Sequence, residues 1–140
     1  MTISVQKEDI DIIKLIAASQ THADGVQLVF IGRVRDDGMD ELEIEAFVPA
    51  AEKDITDIAT EAKKQFHLNS VDIVHRYGRL KLGETIMVII VGASHRSEAY
   101  YGSRYIIEQL KKRAPIWKQE IKNNKKGAWV HDKKTIITDY

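Results

Sequence analysis

Residues 85–91 (TIMVIIV) constrain the fold more than any other part of the sequence, because all seven are apolar or β-branched and none is charged. The run is far shorter than the roughly 18 apolar residues that a membrane-spanning helix needs. Its β-branched content favours a strand. A strand without a polar face must be buried on both sides. We therefore predict that residues 85–91 form the central strand of a sheet.

Two longer segments have the apolar spacing of amphipathic helices. The first, residues 50–66, follows Pro49, and its stripe consists of Ala51, Ile55, Ile58, Ala59, Ala62 and Phe66. The second covers residues 95–112 and ends before Pro115, because proline disfavours helix in the residue that precedes it. Its apolar side consists of Ala99, Ser103, Ile106, Ile107 and Leu110. Residues 9–19 predict a shorter N-terminal helix.

The remaining β-type segments predict a mainly antiparallel sheet. Residues 26–35 and 42–48 flank the turn signal Asp36-Asp37-Gly38, so we expect them to pair as a hairpin. Residues 71–81 predict one strand with a possible bulge at Gly78. Two short strands are expected at 116–122 and 128–132. The prediction is an α+β fold in which two main helices pack on the sheet, with a short N-terminal helix, and residues 1–140 form a single domain.

Charge is distributed unevenly, although the net charge is zero. Residues 1–61 carry 5 Lys and Arg against 14 Asp and Glu, a net of −9, whereas residues 111–140 carry 9 against 3, a net of +6. The basic segment indicates either an anionic partner or pairing with the acidic surface. The chain has no cysteine, which excludes disulfides, thiolate metal sites and a cysteine nucleophile within it. The beginning of the chain has no signal-peptide pattern, so we expect a cytoplasmic protein.

Two cationic clusters are candidate anion sites. Arg33 and Arg35 flank Val34 and would face one side of a strand, where they could bind a phosphate or lie at an exposed strand end. His95 and Arg96 stand at a predicted helix start, whose free N–H groups favour anions. The alternative there is a serine N-cap beside two solvated side chains.

A third cluster contains Lys111 and Lys118 on either side of Pro115. The two lysines can converge only if the chain folds back at the proline. A lysine crowded by other cations can act as a base or a nucleophile. The alternative is a basic helix end that complements the helix dipole. Trp129 is expected in the core or an interface. The five histidines lack metal-ligand spacing, so no metal site is predicted, and His75 is predicted to be a structural residue.

Taken together and in this order, these segments resemble the molybdopterin synthase large-subunit family. The similar segments are residues 30–35 (FIGRVR), 74–78 (VHRYG), 94–97 (SHRS) and 110–120 (LKKRAPIWKQE). The last is close to the family pattern L-K-x-R-A-P-[FI]-W-K-[KR]-E. The resemblance extends over roughly residues 25–133. The turn after Arg35 is shorter than in many relatives, and residues 45–51 lack the usual His or Tyr and the Met.

The resemblance implies a sulfurtransferase, a catalytic subunit that acts without a cofactor of its own. Its partner would be a small ubiquitin-like subunit whose C-terminal thiocarboxylate supplies sulfur to cyclic pyranopterin monophosphate, which forms the molybdopterin dithiolene. The assembly would be a homodimer within a heterotetramer. The family's catalytic lysines fall on Lys111 and Lys118, which also bind substrate. Its other substrate-binding positions fall on Arg33, Val34, Arg35, His95, Arg96, Gln119, Glu120 and Lys133. Lys133 replaces an arginine, so it keeps the charge but loses the bidentate fork.

Three other functions remain open at this point. A nucleic-acid-binding module would use the basic C-terminal third, although that segment lacks an interleaved set of stacking aromatics. A stand-alone hydrolase would use His95 with Ser94 or Ser97, although no orienting acid is evident. A binding-only scaffold would have lost activity, against which the presence of both lysines argues. The favoured prediction involves neither nucleic acid nor a membrane.

Overall fold

A computed structural model describes residues 1–130. Within that range the chain forms three helices and eight strands. In chain order they are β1 (Ile3–Gln6), α1 (Ile12–Ser19), β2 (Val26–Arg33), β3 (Glu41–Ala46), α2 (Val48–Gln65), β4 (Ser70–Arg76), β5 (Gly78–Lys81), β6 (Thr85–Ala93), α3 (Arg96–Arg113), β7 (Ile116–Lys122) and β8 (Lys125–Trp129).

The strands form two four-stranded sheets instead of the single sheet expected. The strand order is β1-β4-β6-β2 in the first sheet and β5-β3-β7-β8 in the second. β6 is buried along its whole length and lies between β4 and β2, which confirms the predicted central strand. Only β1, which was not predicted, is parallel to its neighbour, and every other strand pair is antiparallel. The predicted α+β class is therefore confirmed.

The predicted hairpin of residues 26–35 and 42–48 is wrong. β2 pairs with β6, so that Phe30 lies opposite Ile89, whereas β3 pairs with β5 and β7 in the second sheet. The apolar side chains of β2 match the fully buried β6, while the alternating acidic and apolar residues of β3 suit a sheet with one exposed face. The turn signal after Arg35 is real, but it separates two sheets.

The predicted strand 71–81 is divided between the two sheets. His75 pairs with Met87 near the end of β4, and three residues later Gly78 pairs with Ile44 in the second sheet. Gly78 has φ 103°, a left-handed conformation that glycine adopts without steric cost. The chain therefore crosses between sheets at this glycine and does not bulge there. The crossing places the end of β4 against the second sheet, where the candidate site lies.

Helices α2 and α3 pack against each other and cover the first sheet. Each lies within two residues of its predicted bounds, and the buried residues of α2 are those predicted except Phe66, which is half-buried. The ring of Phe66 stacks obliquely on Tyr105 of α3, with centroids 5.4 Å apart. The Arg113 guanidinium of α3 donates two hydrogen bonds, of 2.6 and 3.0 Å, to the Glu61 carboxylate of α2. In residues 1–130, no helix is both long enough and apolar enough to cross a membrane.

The C-terminal strands β7 and β8 form a tight hairpin. β7 has its predicted bounds, whereas β8 begins three residues before the predicted residue 128. Asn123 and Asn124 have φ values of 51° and 60°, as in a two-residue type I′ turn, which brings the returning strand in early. The predicted strand end at 131–132 lies outside the described residues.

Candidate functional site

The chain reverses at Ala114-Pro115, between α3 and β7. Ala114 is extended, with φ −72° and ψ 131°, and its N–H donates to the Leu110 carbonyl at 3.1 Å. The Pro115 carbonyl accepts from the Phe47 N–H at 3.1 Å, which ties the reversal to the start of α2. β7 then runs antiparallel to β3. The chain therefore folds back at the proline, as convergence of Lys111 and Lys118 requires.

Lys111 and Lys118 line the same pocket. Its cavity volume is about 60 Å³, and its walls are His75, Met87, Leu110, Lys111, Ala114, Ile116 and Lys118. Three of these side chains are aliphatic and a fourth is the Met87 thioether, so the polar groups are the imidazole and the two amines. Among residues 1–130 no carboxylate belongs to this lining, so the described charged groups of the pocket are both cationic. A narrow apolar pocket with two amines suits an extended chain end that carries negative charge.

His75 forms the buried polar wall of this pocket and is 5% exposed. Its Nδ1 lies 2.8 Å from the Arg76 carbonyl oxygen. The pKa of His75 is lowered to about 4, mainly by burial and further by the positive charges of Lys118 and Lys111, while the hydrogen bond to Arg76 opposes this shift. The imidazole is therefore neutral at physiological pH. The prediction of a structural histidine missed its position on the pocket wall.

A second, wider groove adjoins the first pocket at Lys118. Its cavity volume is about 260 Å³, and its lining is Arg33, Val34, Arg35, Asp37, Met39, Leu42, Ile86, Lys118, Glu120 and Val130. Lys118 and Glu120 reach the groove together because residues two apart on a strand share a face. Gln119, which lies between them, faces the other side of the sheet, where its Nε2 donates to the Gly127 carbonyl at 3.2 Å. The groove therefore brings together four of the predicted substrate-binding residues with Lys118.

The backbone around Val34 is held so that its two flanking arginines lie in the lining of the groove. Val34 is 3% exposed and exchanges backbone hydrogen bonds with the β5–β6 turn, through the Glu84 carbonyl at 2.9 Å and the Gly83 N–H at 2.8 Å. The Arg33 guanidinium donates to the Gly83 carbonyl at 3.3 Å. The Arg35 guanidinium is largely exposed and donates to Asp37 at 3.0 and 3.2 Å, which raises the pKa of Arg35.

His95 and Arg96 lie at the opposite end of α3 from Lys111. At a rise of 1.5 Å per residue, the sixteen residues from His95 to Lys111 span about 24 Å. The side chain of His95 is 80% exposed, and its Nδ1 lies 3.7 Å from a Glu98 carboxylate oxygen. Ser94 Oγ donates to the Ala23 carbonyl at 3.4 Å, so this serine points away from a catalytic pairing with His95. Neither His95 nor Arg96 belongs to the lining of the two cavities.

Two further predictions concern the end of the chain. Lys133 lies outside the described residues. Trp129 is 44% exposed and pairs with Gln119 in the second sheet, so it does not lie in the core, and its predicted alternative position in an interface stays a prediction. Among residues 1–130, no three His, Asp or Glu side chains are placed to hold a metal ion.

Sequence reasoning missed the apolar lining of both cavities. Met87 and Ile86 come from β6, and Met39 and Leu42 come from the connection to β3 and from β3 itself. Each of these residues carries the same signal as an ordinary core residue, so nothing local distinguishes a cavity wall from the core. The pairing of β3 with β7 sets Leu42 opposite Glu120 and so places Leu42 in the groove with Lys118.

Comparison with known proteins concerns the family and the fold. The family model described as MoaE protein matches residues 5–113, more than half of the chain. The molybdopterin synthase catalytic subunit of Mesorhizobium japonicum is 34% identical over 139 residues, which cover 96% of this chain and 87% of that protein. A crystal structure of molybdopterin synthase from Staphylococcus aureus superposes with a TM-score of 0.86 at 31% identity, covering 93% of this chain and 97% of that one.

A structure from Helicobacter pylori, a complex of subunits 1 and 2 of molybdopterin-converting factor, has the same fold. It superposes with a TM-score of 0.74 at 23% identity and covers 88% of this chain and 86% of that chain. The family-model match, the identity to a relative aligned over nearly the whole chain and the shared fold all agree. By these criteria the chain belongs to the MoaE family.

Proposed function

We propose that this chain is the catalytic subunit of a molybdopterin synthase. In this proposal it transfers sulfur from the C-terminal thiocarboxylate of a small ubiquitin-like subunit to cyclic pyranopterin monophosphate, in the cytoplasm. One observation carries the proposal: Lys118 lines both the narrow pocket that contains Lys111 and the wider groove that contains Arg33 and Arg35. A group at that junction can act on two ligands that arrive from different directions.

The narrow pocket fits the tail of the sulfur carrier. Two glycines at the end of a chain have no side chains, so they can enter a cavity of about 60 Å³ between apolar walls. A thiocarboxylate at the tip is anionic and would meet Lys111 and Lys118. The Helicobacter pylori complex of two subunits is consistent with a partner of this kind. The chain itself has no cysteine, so the sulfur must come from another molecule.

The wider groove fits the pterin phosphate. Arg33 and Arg35 supply guanidinium groups, which bind phosphate oxygens in a bidentate manner. Glu120 lies in the same lining and can accept hydrogen bonds from the polar edge of a pterin. The groove has more than four times the volume of the narrow pocket, 260 against 60 Å³, as a ring system requires.

In this proposal, His95 and Arg96 of one copy of the chain act beside the groove of a second copy. Within one chain they lie about 24 Å along α3 from Lys111, too far to share a phosphate with it. In a two-fold symmetric dimer, a residue remote from its own site can lie beside the site of its partner. The proposed homodimer would thus complete each groove with the cationic pair of the other copy.

The chemistry requires two anions to meet, because both the phosphate substrate and the thiocarboxylate are negatively charged. Fixed positive charge in a site with little water lowers that repulsion most effectively. In the proposed mechanism, the thiocarboxylate sulfur attacks a carbon of the pyran ring, and Lys118 protonates the oxygen that this carbon releases. Water then attacks the carbonyl carbon of the resulting thioester, and the bond between that carbon and the sulfur breaks. The sulfur stays on the pterin, and the tail leaves as a carboxylate whose negative charge Lys111 stabilises.

The test is dithiolene formation from the pterin substrate and a thiocarboxylated small subunit. The chain alone should be inactive, and the two proteins together should form product. Lys118→Ala should lower kcat by about 10²–10⁴-fold, the range typical of a lost acid–base group. Lys122→Ala, near the exposed end of the same strand, is the matched control. Near-normal turnover in Lys118→Ala, or product without the small subunit, would overturn the proposal.

A further inference from the structure

The arginines of the groove lie where the regular sheet ends. β2 ends at Arg33, and its pairing with β6 shifts register just before that residue, because Gly32 lies opposite Met87 but Arg33 lies opposite Thr85. β6 therefore contributes one extra residue there, a bulge that interrupts the ladder of backbone hydrogen bonds. The direction of the chain beyond Arg33 therefore depends on contacts outside the regular ladder.

The turn between β5 and β6 supplies those contacts. The Val34 N–H donates to the Glu84 carbonyl at 2.9 Å, and the Val34 carbonyl accepts from the Gly83 N–H at 2.8 Å. The Arg33 guanidinium donates to the Gly83 carbonyl at 3.3 Å. These hydrogen bonds join two residues of the turn to two residues of the groove. The placement of the groove's arginines therefore depends on the position of this turn.

The Glu84 carboxylate ties the turn to the core. One of its oxygens, Oε2, accepts from the Lys81 N–H at 2.6 Å and so closes the turn on itself. The other, Oε1, lies 3.5 Å from the Arg76 guanidinium, whose side chain is only 8% exposed. This guanidinium also donates to the Thr85 carbonyl at 3.2 Å and to the Lys7 carbonyl at 2.9 and 3.0 Å. A buried guanidinium with these bonds is a fixed anchor for the carboxylate.

We propose that Glu84 is a positioning residue for Arg33 and Arg35. Its carboxylate joins the β5–β6 turn to the buried Arg76, and the turn holds Val34, the residue between the two arginines. Within the described part of the chain, the linings of the groove and of the narrow pocket do not include Glu84, so it acts through the residues that it holds. Guanidinium groups that are already in place bind a phosphate without the cost of ordering them. The inference rests on the proposed function for its kinetic consequence but not for the link between the carboxylate and Val34.

Amide hydrogen exchange in the full chain tests this link without any turnover. Glu84→Ala should speed exchange of the Val34 N–H by about 10–100-fold, the value of a hydrogen bond to a charged group. Amides at the centre of β6 report global stability and should change less. Glu84→Gln keeps an acceptor for the Lys81 N–H and should have a smaller effect at Val34.

The matched control is Glu52→Ala, because Glu52 also accepts from a backbone N–H, that of Val5 in β1, at 3.2 Å. It should speed exchange at Val5 and leave Val34 unchanged. Unchanged exchange at Val34 in Glu84→Ala, or an equal increase at Val34 in Glu52→Ala, would overturn the inference.

Kinetics with the complete two-subunit enzyme test the consequence. Glu84→Ala should raise KM for the pterin phosphate about tenfold and change kcat little, because binding must then order the arginines. In an Arg35→Gln background the same substitution should raise KM by a smaller factor, since one of the groups that it positions is already lost. Glu52→Ala should leave KM unchanged. A purely structural role predicts the same factor in both backgrounds, and that result would overturn the inference. If the wild-type complex forms no product, the proposed function fails and the amide exchange alone decides the inference.

Discussion

Lys111 of α3 and Lys118 of β7 line one pocket, although a proline reversal separates the two elements that carry them. The third polar group of the lining, His75, is neutral, and no carboxylate among residues 1–130 lines the pocket. An anionic chain end could interact with both amines, so the lining favours a ligand with a terminal negative charge.

A synthetic peptide that ends in Gly-Gly should bind this pocket through its carboxylate. The free acid should bind about tenfold or more tightly than the C-terminal amide, because a charge-assisted hydrogen bond is worth about 1.5–3 kcal/mol. Isothermal titration calorimetry measures the difference. Lys111→Ala should remove it, and Lys112→Ala, its neighbour outside the lining, should retain it. Equal affinities of acid and amide for the wild-type chain would contradict the assignment of the pocket.

The ion pair between Arg35 and Asp37 should limit affinity for the pterin phosphate. Arg35→Gln should raise KM about tenfold or more, because a bidentate contact with phosphate is lost. Asp37→Asn should have the opposite effect and lower KM, since Arg35 no longer has a competing carboxylate at 3.0 Å. Steady-state kinetics at saturating small subunit measure both. If Asp37→Asn instead raises KM, Asp37 contacts the substrate directly.

Mixing two inactive variants should restore activity if His95 and Arg96 act across a dimer. In a mixed dimer of Lys118→Ala and Arg96→Ala chains, one of the two sites has both residues intact. With random exchange of chains, half of the dimers are mixed, so about a quarter of the wild-type rate is expected. The control is a mixture of Lys118→Ala with Lys111→Ala, whose two defects lie in one pocket of one chain. Because the two lysines line the same pocket, no site in the control mixture has both, and we expect no recovery of activity there. Recovery in the control would mean that Lys111 and Lys118 act in different copies.

The secondary structure was predictable where local pattern and burial agree. The apolar run of β6 and the stripes of α2 and α3 carry their own periodicity, so their positions were close to those found. The partners of the strands were not predictable, because the turn at Asp36-Asp37-Gly38 is compatible with both a hairpin and a crossing between sheets. The choice depends on the match between β2 and β6, which are more than 50 residues apart in sequence.

The candidate site, like the fold, was predictable only in part. The cationic residues were predictable from composition and motif, and the return at Pro115 was expected as a condition for the two lysines to meet. The role of His75 was not predictable, because its neutrality depends on burial and on the two lysines, which lie on other elements. The distance of His95 and Arg96 from the pocket follows from the length of α3, because these two residues stand at its N-terminal end and Lys111 stands at its C-terminal end.

Replacing Gly25 by alanine should destabilise the fold at the start of β2. A Cβ at this position would overlap the Ser94 carbonyl oxygen, which is backbone and cannot rotate away. We expect Gly25→Ala to lower the free energy of unfolding by about 1–3 kcal/mol, as overpacking does in well-packed regions. Gly127→Ala, where the nearest atom would lie at 3.4 Å, is the control and should change it by less than about 0.5 kcal/mol. Urea denaturation compares the two variants, and equal stabilities would contradict the close approach at Gly25.

The buried His75 should make stability depend on pH. Its pKa is about 4 in the folded chain against an ordinary value of 6.5, because burial and the charges of Lys118 and Lys111 disfavour the imidazolium. Between these values the unfolded chain binds a proton that the folded chain does not, so the free energy of unfolding decreases as the pH is lowered from 7 toward 4. The contribution of one such histidine at pH 4.5 is about 2–3 kcal/mol.

Carboxylates also titrate in this range, so the informative quantity is the difference between the wild type and His75→Gln. Urea denaturation at pH 7.5 and 4.5 should show a larger loss of stability in the wild type, by about 2–3 kcal/mol, because glutamine does not titrate. His67→Gln is the control, since that residue lies in the connection after α2 with its side chain outside the buried core, and it should keep the wild-type dependence. If His75→Gln loses as much stability as the wild type on acidification, His75 titrates normally in the folded chain and is accessible to solvent.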